Sequence, residues 1–244
     1  MLLSDFKTLQ FRENYILPWP AGALLDCESL ENLRRDKVML KIWGRGNSIN
    51  VQKVLWCCAE TGTAFERIDA GMQFGINNTP EYKAMNPNGL VPLINDEGFV
   101  LWESHAIVRY LARKHGMGTL YPSDPRVAAD ADRWMEWYST TLWNHMKPVF
   151  WILIRTPPEK RNLAEVEDNR QKLAGYLAMA DTHLAKNEFL TGAQFTMADI
   201  PLAVLAYRWF NVPIERPALP HFERWFKTVA ARPGFQLHCA APLT

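Results

Sequence analysis

"NPNGLVPLINDEGFVLWESHAIVRYLARKHG", residues Asn86 to Gly116, decides the fold of this chain, because one short run carries a strand, a turn, a second strand and a helix. Val91–Ile94 and Phe99–Trp102 are rich in β-compatible residues and the intervening "NDEG" is a hairpin turn signal, which predicts two antiparallel strands. From Ser104 onward Ile107, Val108 and Leu111 fall on one helical face that ends near Gly116. Pro92 has no N–H for a strand ladder, and two readings follow. Either an edge strand ends early, or a cis Val91-Pro92 bond turns the Val91 backbone outward, free to pair with an extended peptide-like ligand. Glu103-Ser104 stands at the helix start, where unpaired amides and the helix dipole favour an anion and a serine hydroxyl adds a donor. Glu103 beside it suits an ammonium group, so the pair fits an α-amino acid head; Ser104 as a plain N-cap is the competing reading.

Upstream, "VMLKIWG" is a strand that stops at Gly44, and Val51, Val54, Leu55 and Cys58 recur at the spacing of one helical face, with Gly62 as the stop. "AFERIDA" is a second strand. This β-α-β unit from Val38 to Ala70 predicts two parallel strands joined by a right-handed crossover. Gly71 to Asn88 is polar and turn-rich, a loop with one short helix.

Downstream, "HGMGTLYPSDPR" is rich in Gly and Pro and reads as a linker, after which nearly every segment from Val127 to Arg232 has helical spacing. The expected organisation is an N-terminal extension over residues 1–37, a candidate for disorder; an α/β domain over 38–116; a linker over 117–125; and an all-helical domain over 126–244. The extension carries no secretory signal, and Asp5, Glu13 and Asp26 argue against a mitochondrial presequence. Met39 opens the first clear strand, which suggests that the functional chain starts there.

With 27 basic and 26 acidic residues in 244, no excess of positive charge exists to neutralise phosphates, so nucleic acid is an unfavourable partner. Cys27, Cys57, Cys58 and Cys239 show neither a CxxC nor a metal-ligand spacing, which argues against a zinc site and a disulfide framework and for a reducing cytoplasm. No apolar run reaches the roughly 18–20 residues needed to cross a bilayer.

The Asn86–Gly116 stretch resembles the N-terminal domain of cytosolic glutathione S-transferases, whose pattern is an Asn-Pro-x-Gly turn, a Val-cis-Pro, a hairpin and a Glu-Ser before a helix. The likeness runs from about Val38 to the C-terminus. "FLTGAQFTMADI", Phe189 to Ile200, looks like that family's buried capping box and hydrophobic staple. In it Thr196 would cap the amide three residues on, Asp199 would reach back and Phe195 would pack on Ile200. Pro201, one turn in, would cost a ladder bond and bend the helix. The resemblance implies a thioredoxin-like domain followed by a helical one, glutathione as co-substrate, no metal, and a homodimer.

The same resemblance implies that Val91 pairs with the cysteinyl backbone of glutathione while Glu103 and Ser104 hold its γ-glutamyl head. Where the family often has Lys or Gln to meet the glycyl carboxylate, this chain has Leu90, which leaves Arg45, Lys83 or a group of the other domain for that task. A catalytic Tyr or Cys is missing from "GRGNSINVQKV", Gly44 to Val54. Laid on the theta-like, serine-using pattern, Ser48 falls on the catalytic hydroxyl, and Asn50 falls where some bacterial relatives with disulfide-reductase activity place an Asn. Ser48 also suits an N-cap, and both roles fit one helix end. Cys57 and Cys58 lie well inside the helix and read as core filler; His105 and Arg109 read as surface or packing residues. Arg133, Trp134, Trp137, Tyr138 and Trp143 are the candidates for a second-domain wall facing the electrophile, Trp137 and Tyr138 for substrate contact and Arg133 for glutathione or the interface, with core packing as the simpler account of their spacing. The expected activity is conjugation of the glutathione thiolate to small apolar electrophiles. A glutathione-dependent disulfide reductase or peroxidase, or a non-catalytic glutathione-binding stress protein, stand as alternatives.

Overall fold

The computed structural model describes residues 39–244. The expected extension over 1–37, Cys27 within it, and the suggestion of a start at Met39 concern sequence that lies outside the described residues. Strand β1 (Leu40–Trp43), helix α1 (Ile49–Thr61) and strand β2 (Phe65–Ile68) form the βαβ unit, with the strands parallel and paired from Leu40↔Phe65 to Trp43↔Ile68. After the short helix α2 (Pro80–Met85) come β3 (Leu93–Asp96), β4 (Phe99–Trp102) and α3 (Ser104–His115). The sheet order is β2-β1-β3-β4, with β3 antiparallel to both β1 and β4.

Two details differ from the sequence reading. Asp96 pairs with Phe99, so the hairpin loop is Glu97-Gly98, with φ values of 54° and 92° that a two-residue primed turn requires. The Asn95 side chain closes it by accepting from the Gly98 amide at 2.7 Å. The third strand starts at Leu93 instead of Val91, because Pro92 offers no ladder donor and the Val91-Pro92 bond is cis.

Helices follow: α4 (Pro125–Trp137), α5 (Trp143–Phe150), α6 (Leu163–Leu184), α7 (Asp199–Asn211), α8 (Pro220–Ala230) and α9 (Pro233–His238). Asp124 caps α4 through the Arg126 amide at 2.8 Å. Wide π-helical turns flank α5, at Tyr138–Leu142 and Trp151–Arg155, and α5 itself contains Pro148, which removes an i→i−4 bond. Among the described residues no helix is long and apolar enough to cross a membrane.

Helix α1 is the hinge of the packing. Nine of its thirteen residues are buried, including Gln52 and Lys53, because α3 lies against it on one side and α7 and α9 on another. One continuous core runs from Leu40 and Ile42 through Val54 and Trp56 to Leu205 and Trp225. At the α9 contact a Cβ on Gly234 would come within 2.7 Å of Trp56, so the backbone itself is the packing surface there. Glu60 at the far end of α1 takes a two-pronged bond from Arg232 at 2.9 and 2.6 Å and one from the Trp56 indole at 2.7 Å.

The Phe189–Ile200 segment is tied down differently from the sequence expectation. Asp199 does reach back, to the Thr196 amide at 2.9 Å, and its carboxylate also accepts from the Leu190 amide at 3.1 Å and the Trp225 indole at 2.8 Å. The Thr196 hydroxyl pairs with Thr191 at 3.0 Å, and it is the Thr196 carbonyl that accepts from the Asp199 amide. Phe195 packs on Trp56, with ring centroids 5.5 Å apart. Pro201 is the third residue of α7, where the amides lack an intrahelical partner in any case, so it costs no ladder bond. Replacing Asp199 by Ala strands three buried donors at once. The variant is expected to lose about 3 kcal/mol or more, read as a lower urea midpoint by tryptophan fluorescence.

Candidate active site

A cleft of about 290 Å³ opens where the β1–α1 loop, the loop before β3, the start of α3 and the α5 end of the helical part converge. Ser48, Asn50, Val91, Glu103 and Ser104, the five residues singled out by sequence, all line it. Ser48 is 7% exposed and holds the N-cap position of α1, yet its hydroxyl caps no amide; the local turn is closed by backbone bonds from Ser48 to Arg45 and from Gln52 to Ser48. That leaves a hydroxyl at the positive end of a buried helix, a fitting donor to a developing anion. Asn50, one turn-step further, accepts from the Ser104 hydroxyl at 3.4 Å and joins the two helix starts.

Ser104 is the first residue of α3 and is buried, while Glu103 before it is exposed with φ 71°, an uncommon backbone state for a residue with a side chain. No side-chain cap occupies the α3 amides. Val91 lies outside the strand ladder, in a loop pinned at Leu90 by the Tyr82 hydroxyl at 2.6 Å and the Asn86 side chain at 2.9 Å. An extended ligand with an amino acid head fits this combination of free backbone, free amides and adjacent carboxylate. Lys83 is not among the lining residues, whereas Arg45 is.

The opposite wall comes from one residue named from sequence, Trp143, and from others that sequence reasoning missed. Trp143, Lys147, Trp151 and Arg155 recur every four residues and line the cleft, joined by Phe150 and by Arg208 of α7. The signal was in the sequence as an i, i+4 series of aromatic and basic residues. Trp137, Tyr138 and Arg133 do not line it. Trp137 packs against Trp134, Tyr138 is buried under Lys53, whose Nζ lies 4.3 Å from the ring centroid, and Arg133 turns to Asp130 on its own helix. Cys57, Cys58 and Cys239 are buried, and desolvation raises all three thiols, so none is poised as a thiolate.

Behind the cleft lies a buried polar chain between the two parts of the fold. Lys53 Nζ lies 3.0 Å from His105 Nε2, and His105 Nδ1 lies 3.0 Å from the Ser139 hydroxyl, which reaches the Met135 carbonyl at 3.4 Å. Lys53 always has an N–H to donate, so His105 accepts at Nε2 and donates from Nδ1. Burial, then the charges of Lys53 and Arg109, holds His105 well below its ordinary value, and burial followed by the Arg208 charge lowers Lys53. Arg109 on the same helix binds Asp132 and Glu136 at 2.6 Å each, so both residues serve the interface and not the cleft.

Comparison with known proteins agrees with this geometry. The family description "Glutathione S-transferase, N-terminal domain" matches residues 38–113, and "Glutathione S-transferase, C-terminal domain" matches residues 142–233. The chain is 39% identical over 208 residues to Glutathione S-transferase GstB of Escherichia coli K12, covering 84% of this chain and 100% of that protein. It is 35% identical over 212 residues to Glutathione S-transferase 3 of Zea mays, covering 83% of this chain and 94% of that one. Among solved structures, a theta class glutathione S-transferase from Xanthomonas axonopodis pv. citri with glutathione bound superposes with a TM-score of 0.82 at 44% identity, over 85% of this chain and 100% of its own.

The buried histidine makes stability depend on pH in a defined sense. Its folded value is depressed below the ordinary 6.5, so in mildly acidic solution the unfolded chain binds a proton that the folded chain does not. Stability therefore falls as pH drops through 6.5, with a contribution of up to about 1.4 kcal/mol per pH unit from this group. Urea denaturation of His105→Gln between neutral and acidic pH is expected to show a shallower loss than the parent.

Proposed function

The chain belongs to the glutathione S-transferase family, and from that premise we propose that it is a glutathione transferase that conjugates the glutathione thiolate to small electrophiles with an apolar body. The observation that carries the reading is the uncommitted Ser48 hydroxyl at the N-terminus of α1, 7% exposed and on the cleft that Val91, Glu103 and Ser104 also line. In this reading residues 38–116 form the glutathione-binding domain and 126–244 supply the wall for the electrophile, joined by the linker at 117–125. Homodimerisation and a cytoplasmic location are part of the proposal by analogy with the family.

Glutathione lies extended along the cleft. Val91 pairs with its cysteinyl backbone, the α-carboxylate of the γ-glutamyl head takes the Ser104 hydroxyl and α3 amides, and Glu103 takes the ammonium. Arg45 takes the glycyl carboxylate in place of the side chain that Leu90 lacks. The Ser48 hydroxyl donates to the sulfur, and Asn50 holds Ser104 and the thiol-side loop in one geometry. A free thiol has a pKa of about 8.5, and each unit of depression needs about 1.4 kcal/mol of preference for the thiolate, which a hydroxyl and a helix N-terminus supply together. The thiol proton passes to solvent, a carbon–sulfur bond forms, and the leaving group departs with the electron pair of the bond that breaks.

The named transferases among the relatives support this reading over a disulfide reductase, a peroxidase or a non-catalytic binder. A mixed disulfide on the protein has no support either, since the three cysteines of the described residues are buried in the core.

Ser48→Ala is expected to raise the pKa of the bound glutathione thiol towards that of the free thiol and to lower kcat/KM at neutral pH by about 10²–10³-fold. Thiolate absorbance across pH measures the first and an aryl halide assay the second; an unshifted pKa with full turnover would falsify the assignment. Glu103→Gln is expected to weaken glutathione binding by about tenfold or more, since it removes the partner of the ammonium while leaving the sulfur donor in place.

A further inference from the structure

The cleft carries far more positive charge than glutathione uses. Arg45, Lys147, Arg155 and Arg208 line it, against Glu103 as the one acid among its described lining residues. Among the described residues none of the four cations takes part in a salt bridge with an acidic side chain. Arg208 is 3% exposed at the floor; it donates to Gln52 at 3.1 Å and to the Val204 carbonyl at 3.2 Å, and its Nε has no partner, as is true of Arg45 Nε. Arg155 stands near enough to both for its charge to oppose theirs, adding to the effect of burial, which lowers Arg45 and brings Arg208 down to about 10. Four cations against one acidic side chain favour an anionic occupant of the cleft.

Glutathione accounts for part of that charge. With its ammonium on Glu103 and one carboxylate at the start of α3, one carboxylate remains, and Arg45 on the glutathione side takes it. Lys147, Arg155 and Arg208 are left on the helical wall, and this wall is also aromatic. The Phe150 ring has Arg155 at 5.1 Å and Arg208 at 5.3 Å from its centroid, and Arg155 lies 4.6 Å from that of Trp151.

Resting on the transferase reading and narrowing it, we propose that the second substrate is an electrophile with an apolar, preferably aromatic, body and a carboxylate. The body lies on Trp143, Phe150 and Trp151 while the carboxylate is held among Lys147, Arg155 and Arg208. Arg155 already shows the geometry of such an interaction: its Nε and Nη2 both point at one backbone oxygen of Thr244, the last residue of the sequence, at 3.3 and 3.1 Å, and Asn47 steadies Thr244 through its hydroxyl at 2.7 Å. A substrate carboxylate fits the same two N–H donors and is reached by Lys147 and Arg208 as well.

The test uses matched compounds that differ only in charge. Isothermal titration of the protein saturated with S-methylglutathione is carried out with the unreactive 3,5-dinitrobenzoate and with its methyl ester. The carboxylate is expected to bind about tenfold tighter or more, and the preference should shrink with added salt. In Lys147→Gln/Arg155→Gln, both side chains being at the cleft rim and outside the core, the preference should fall to about twofold or less, with unchanged tryptophan fluorescence showing that the fold is kept. Equal or weaker binding of the carboxylate overturns the inference, and so does a preference that the double variant retains in full. Turnover is then measured with 4-chloro-3,5-dinitrobenzoate and its methyl ester, each divided by its uncatalysed rate; the sulfur displaces chloride, which leaves with the electron pair. A carboxylate preference in binding with no turnover of either compound upholds the anionic site and overturns the transferase reading.

Discussion

From Val51 to Cys58 helix α1 leaves no face for water. A helix on the rim of a sheet ordinarily turns a polar side outward, but this one has α3 on one flank and α7 and α9 on another, so its polar residues must find partners inside the protein. Gln52 finds Arg208, and Lys53 finds His105 and the Tyr138 ring. Each partner belongs to a different element, so satisfying α1 also fixes where α3, the first π turn and α7 sit. The cleft forms at the N-terminal end of this enclosed helix, and its shape is a by-product of that enclosure.

The two walls of the cleft differ in kind. On the sheet side the surface is mostly backbone and short polar side chains, tied down by Tyr82, Asn86 and the Asn50–Ser104 contact. On the helical side it is long cationic side chains over aromatic rings. A rigid, polar wall selects one invariant partner, whereas a wall of flexible guanidinium and ammonium groups accepts a range of molecules that share charge and an apolar body. Pro148 and the second π turn matter here, because they set the pitch at which Trp151 and Arg155 follow Trp143 and Lys147.

Much of the sheet-side wall was legible in the sequence. The hairpin, the helix from Ser104 and the Glu103-Ser104 pair all depend on local chemistry, and Ser48 stood out once a ligand was suspected from the Val-Pro and Glu-Ser elements. Of the helical wall only Trp143 was read, although Lys147, Trp151 and Arg155 follow it at four-residue steps, because such a stripe looks the same whether it faces a core or a cleft. Tyr138 and Trp137 were the more natural candidates by the same logic and turned out to be packed inside. Lys53 was illegible for a related reason. Nothing local distinguishes a lysine that will be solvated from one that a second domain will cover, and the histidine that meets it is 52 residues away. The Thr196 hydroxyl likewise pairs with Thr191, outside the Thr196–Asp199 box, while the Thr196 carbonyl accepts from the Asp199 amide.

Glu103 adopts φ 71° and ψ 114°, a state in which a side chain costs about 1–3 kcal/mol and in which glycine would sit freely. Its carboxylate is also the one acid lining the cleft among the described residues. On the proposed binding mode the position therefore sets stability against function: a change to glycine here would relieve the backbone and remove the partner of the ligand's ammonium. A thermostability screen on this scaffold that does not also score glutathione binding would favour removing that carboxylate.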